Sequence, residues 1–115
     1  KPYKVYKGHL RTHTFILDCA KMIKIIADKG KKGEAYNIAG PDVTSMEDVN
    51  QMIYKIINKK FNENNLVDNH EAHTTKAKLV SNQKFMELTS NKFSFTPLDE
   101  GLKKTIEWQI GQLGI

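Results

Sequence analysis

Histidine, cysteine and arginine are the residues of this 115-residue chain best suited to chemistry, and their spacing limits what that chemistry is. Four histidines, His9, His13, His70 and His73, raise the question of a metal. His70 and His73 stand three apart, a spacing that shares a face only on a helix. The Asn- and Thr-rich stretch around them is not helical and adds only Asp68 and Glu71. They read as solvated loop histidines, and no metal is expected. The single cysteine, Cys19, closes no intrachain disulfide and builds no cysteine zinc cluster, which makes an intracellular setting the default. On the apolar side of its helix it reads as a small core residue. Arg11 carries a planar fork of donors that suits phosphate or carboxylate. On residue type alone it reads as a surface arginine paired with a carboxylate.

The elements that must position these residues alternate between strand and helix. Lys4-Val5-Tyr6 is β-prone and ends at Gly8. Apolar residues at 16, 19, 20, 23, 26 and 27 form one face of a helix, with Asp18 as its expected N-cap and Gly30 as its C-cap. Glu34 to Ala39 predicts a largely buried strand closed by Gly40-Pro41. Ser45 and Asp48 have capping-box spacing, and Val49, Met52, Ile53, Ile56 and Ile57 follow at helical period. Phe61 to Lys78 reads as loop with a short strand at Leu66-Val67. Ser81 is expected to cap a helix through Leu88. Pro97 opens a last helix with Leu98, Leu102, Ile106 and Ile110 in line, and Trp108 is expected to anchor it to the core. This order implies an α/β fold of few short strands and about four helices. Two or three such strands make a poor sheet alone, and the strand at 34 to 39 needs neighbours on its edges.

Length fits one domain with a single core, and 39% hydrophobic with 27% charged residues excludes a disordered or low-complexity chain. The net charge of +5 favours anionic partners without choosing among them. Nucleic acid is not expected, because the basic residues are scattered among Glu and Asp without an aromatic-plus-basic stripe. No segment approaches the roughly 20 apolar residues of a membrane span. No secretory signal is visible, and the start at Lys1-Pro2 looks cut from a longer sequence, so a cytoplasmic location is the expectation.

Three segments together carry a resemblance across nearly the whole chain. Arg11-Thr12-His13-Thr14-Phe15-Ile16-Leu17-Asp18 is similar to an Arg-x-aromatic-x-Tyr-Val-x-Asp run, and Gly33-Glu34-Ala35-Tyr36-Asn37-Ile38-Ala39-Gly40 to a Gly-Glu-x-Tyr-Asn-Ile-Gly strand. The run from Pro97 to Trp108 is similar to a closing Leu-x-Glu-Gly-Leu-x-x-Thr-Ile-x-Trp helix. In order and spacing the chain resembles the C-terminal, substrate-binding part of the extended short-chain dehydrogenase/reductase family. Its members are the NAD-dependent epimerases and dehydratases of nucleotide sugars. The implied fold is the C-terminal portion of an extended Rossmann-type structure, one region over residues 1–115, with the N-terminal dinucleotide-binding domain outside this chain.

The resemblance implies that Arg11 binds the diphosphate of a nucleotide sugar, that backbone groups at Val5 and Tyr6 lie beside the base, and that Lys78 is a second phosphate cation. Lys7 and His9 fall in the turn next to them. The family's Gly-x-x-Gly-x-x-Gly turn, whose backbone N–H groups approach the pyrophosphate of NAD or NADP, is absent: the glycines at 8, 30, 33, 40, 101, 111 and 114 do not form it. Tyr3 and Lys7 have the spacing of its catalytic Tyr-x-x-x-Lys pair, but on a predicted strand that spacing places them about 13 Å apart. No catalytic residue is therefore assigned, and NAD or NADP is expected to be held mainly by the missing half. The partners implied are a nucleotide-diphosphate sugar, that Rossmann half and, for the complete enzyme, a homodimer. Isomerase and lyase chemistry both stay open. The alternative function is a non-catalytic module that binds nucleotide diphosphates or another subunit.

Overall fold

A two-stranded and a three-stranded sheet, joined by a glycine turn, make the frame on which the helices are laid. In the computed structural model, residues 4–67 and 76–114 are described. Strand β1 (Val5–Tyr6) ends at Gly8, whose φ of +72° is left-handed backbone that only glycine adopts without strain. Strand β2 (Leu10–Thr12) follows directly. Helix α1 (Ile16–Lys29), strand β3 (Val43–Ser45), helix α2 (Met46–Ile56), a short 3-10 turn (Glu63–Asn65), strands β4 (Leu66–Val67) and β5 (Ala77–Lys78), and helices α3 (Gln83–Leu88) and α4 (Leu98–Leu113) complete the order. β1 pairs in parallel with β4, and β2 lies between β3, antiparallel, and β5, parallel. The turn between β1 and β2 is pinned at both ends, since Lys7 N donates to Val67 O at 2.9 Å and Leu10 N to Lys76 O at 2.8 Å.

α2 forms where the sequence places it, with Ser45 Oγ accepting from Asp48 N at 3.1 Å and Val49 buried. It packs against β1 and α4. A second packed region holds Met22 and Phe85, both wholly buried, with Phe85, Phe93 and Phe95 in successive edge-to-face contacts at 5.1 and 4.9 Å. Between these regions Asp18, 2% exposed, accepts from Thr96 N at 2.8 Å and Thr96 Oγ1 at 2.9 Å. That pair ties α1 to the connection before α4.

Several expectations are corrected. Asp18 is not the N-cap of α1; Phe15 is, and the carboxylate sits in the first turn serving Thr96. Anchoring Asp18 turns the line of Asp18 and Met22 inward, and the apolar stripe is left outside, with Ile16, Leu17 and Ile23 exposed. Cys19 is only half-buried. Trp108 is 65% exposed, lying two residues, about 200°, from the half-buried Ile106 on α4. Asn82 holds the N-cap position of α3 without a side-chain cap bond, and Ser81 stands one residue before it, its Oγ accepting from Gln83 N at 3.3 Å.

Residues 34 to 39 form no ladder among the described residues. Their carbonyls meet side chains instead: Lys84 Nζ donates to Ala35 O at 2.8 Å and Asn82 Nδ2 to Ala39 O at 2.9 Å. Lys84 also pairs with Glu34 and lies 5.0 Å over the Tyr36 ring. Among the described residues no strand pairs with this segment.

Candidate functional site

β2 positions the strongest candidate. Arg11, the only arginine in the chain, stands in register with Thr44 on β3 and with Lys78 on β5. Register partners project to the same side of a sheet, so the guanidinium and the Lys78 ammonium share one face. Arg11 Nη1 donates to Leu10 O at 2.7 Å and reaches Lys76 O at 3.4 Å, which holds the guanidinium close along the strand. Arg11 is half-buried and Lys78 exposed. The parallel β2–β5 pairing thus joins two cations that lie 67 residues apart in sequence. A guanidinium and an ammonium on one sheet face are chemically suited to a phosphate group.

Val5 and Tyr6 sit differently from each other. Val5 is 5% exposed and belongs to the core, so it offers a ligand only backbone. The Tyr6 ring stacks on His9 at 5.1 Å with an interplanar angle of 25°. His9 is buried, and its Nε2 has no hydrogen-bond partner among the described residues.

His13 marks a neighbouring cavity of about 300 Å3, lined also by Thr14, Phe15, Asp18, Gly40 and Thr96. Burial first, and then the Arg11 guanidinium, hold its imidazole below the usual histidine range, against a hydrogen bond to the Thr44 backbone. Gly40 closes this corner: its N donates to Thr14 Oγ1 at 2.9 Å, and a Cβ there would lie 1.9 Å from His13 O. None of Arg11, Val5, Tyr6 and Lys78 lines the cavity. The sequence reading missed both Asp18 as a tether and Glu47, whose Oε1 accepts from Gly8 N at 2.8 Å. No local signal reveals either, since each acts across a long stretch of chain. His70, His73 and Tyr3 lie outside the described residues. Among the described residues no group of three or more His, Cys, Asp or Glu is placed to hold a metal, and no helix is long and apolar enough to cross a membrane.

No protein-family model and no curated protein matches the sequence significantly. Solved structures match it over nearly its full length. With dTDP-glucose 4,6-dehydratase from Bacillus anthracis, in complex with NAD, the TM-score is 0.77 at 20% identity, covering 97% of this chain and 35% of that one. With the enzyme WbmF from Bordetella bronchiseptica, in complex with NADH, it is 0.75 at 27% identity, covering 98% and 33%. With UDP-glucuronic acid 4-epimerase from Bacillus cereus, in complex with NAD, it is 0.68 at 25% identity, covering 90% and 32%. The fold is that of the C-terminal portion of an extended short-chain dehydrogenase/reductase.

The chain spans about a third of the length of those structures. The described residues do not fit a dinucleotide. A pyrophosphate cradle needs free backbone N–H groups at a strand-to-helix glycine turn. The Gly8 amide is taken by Glu47, while Gly33 and Gly114, the other glycines with positive φ, follow the C-terminal ends of α1 and α4.

Proposed function

We propose that this chain is the nucleotide-sugar-binding region of an NAD(P)-dependent epimerase or dehydratase, with dinucleotide and catalytic groups supplied by polypeptide outside it. The observation that carries this reading is the register of Arg11 with Lys78 on one sheet face. The names of the matching structures, a dehydratase of dTDP-glucose and an epimerase of UDP-glucuronic acid, support the substrate class.

In this reading the Arg11 fork grips the diphosphate and fixes its orientation, and Lys78 adds a point charge without directional demand. Backbone groups of β1 and the Tyr6 ring lie towards the nucleoside. These contacts bind and orient; no proton or hydride moves on a residue of this chain. Titration calorimetry with UDP, dTDP and GDP tests the reading. Loss of a hydrogen bond to a charged phosphate costs roughly 1.5–3 kcal/mol. Arg11→Ala is therefore expected to weaken binding about 10- to 100-fold, and Lys78→Ala less. Equal affinity of wild type and Arg11→Ala would remove the assignment.

A second reading, a module that binds a nucleotide diphosphate or a subunit without catalysis, is favoured by the apolar side chains that α1 and α4 leave in solvent, Ile16, Leu17, Ile23 and Trp108. A nucleotide-independent association of this chain with a catalytically inert subunit would support it.

A further inference from the structure

The turn from Lys7 to His9 is held from outside by a single side chain. Glu47, in the first turn of α2, accepts the Gly8 amide at 2.8 Å across 39 residues of sequence. The reverse contact runs from α2 back to the turn, since Met46 N donates to His9 O at 2.9 Å. A helix start and a strand turn therefore exchange hydrogen bonds in both directions. From inside, the turn is shaped by Tyr6 stacked on the buried His9 ring. Gly8 has the positive φ that aims its amide at α2, and the Glu47 bond adds a side-chain hold to the backbone bonds that pin the turn at Lys7 and Leu10.

We infer that Glu47 is a positioning residue: its carboxylate, through Gly8, sets the shape of the turn that carries Tyr6 on one side and leads into Arg11 on the other. This rests on the nucleotide reading above and adds to it a division of labour. Arg11 and Lys78 hold phosphate through the β2–β5 register, whereas the Glu47 carboxylate bonds the Gly8 amide in the turn before β2. The nucleoside end depends on β1 and its turn, which Glu47 does hold. Loss of the carboxylate is thus a loss for nucleosides and not for bare phosphates.

Titrations of the 115-residue chain with UDP and with inorganic pyrophosphate separate the two. Loss of one part-buried hydrogen bond predicts that Glu47→Ala binds UDP about fivefold more weakly. Pyrophosphate affinity is expected to stay within about twofold of wild type. Glu47→Gln keeps an oxygen that accepts from Gly8 and is expected to retain UDP binding to within about twofold. The Gly8 amide resonance shifts in Glu47→Ala and returns in Glu47→Gln. The inference is overturned if Glu47→Ala binds UDP like wild type, or if UDP and pyrophosphate weaken together, which marks general structural damage. Should Glu47→Ala fail to fold, loss of UDP affinity in Glu47→Gln with its Gly8 resonance unmoved overturns it equally. If wild type binds neither ligand, the nucleotide reading itself falls and takes the inference with it.

Discussion

Arg11 and His13 are two residues apart, and each changes what the other can do. Burial and the guanidinium hold His13 below its usual pKa. The unfolded chain then binds a proton that the folded one refuses, so stability falls as pH drops from about 6.5 through the folded-state pKa and levels off below it. His13→Gln is expected to flatten that part of a pH–stability curve measured by urea unfolding; an unchanged slope would show that His13 is not the group responsible. A diphosphate on Arg11 offsets the guanidinium's push, so UDP is expected to raise the His13 pKa in an NMR titration. Asp18 is the other residue whose role is structural and long-range. Its loss in Asp18→Ala strands the Thr96 amide and hydroxyl in a part-buried position, at a cost of about 1–3 kcal/mol for each group left without a partner. Chemical denaturation reads that directly, and a change below about 0.5 kcal/mol would contradict it.

Among the elements, α2 was fully legible because its signals are local: a capping Ser45, Asp48 three residues on, and apolar residues at helical period. Ser45→Ala is expected to lose about 1 kcal/mol in the same denaturation assay. Periodicity located α1 equally well, at Ile16–Lys29, but not which of its sides is buried. That is decided by Asp18 reaching Thr96, 78 residues away, a contact no window of sequence contains. The segment from 34 to 39 has strand composition, and strand composition is a statement about neighbours; with no described strand paired to it, its carbonyls at Ala35 and Ala39 are met by Lys84 and Asn82. β2 and β5 were invisible as partners for a related reason, since a parallel pair is made by distant chain and each strand has only two or three residues. The candidate site shares that fate. Arg11 was found through a motif, and Lys78 through likeness, but their common face exists only once β2 and β5 pair.

At the scale of the molecule, the fold leaves large apolar side chains in solvent on both α1 and α4: Ile16, Leu17, Ile23, Trp108 and Leu113. Scattered exposed apolar residues are ordinary, whereas several on adjacent helices promote association. The isolated chain is expected to self-associate with rising concentration in sedimentation velocity, and Ile23→Lys combined with Trp108→Gln to reduce it. A monodisperse wild-type monomer at all concentrations would contradict this. The same exposure suits a piece that completes its packing against other polypeptide, in line with a chain that spans about a third of the structures it matches. In the proposed reading the chain contributes a binding face, Arg11 beside Lys78. A crystal structure of the chain with UDP bound tests that most directly. The account predicts both phosphates over β2 and β5, with the Arg11 guanidinium forked on one of them; phosphates seated elsewhere, with Arg11 and Lys78 untouched, would contradict it.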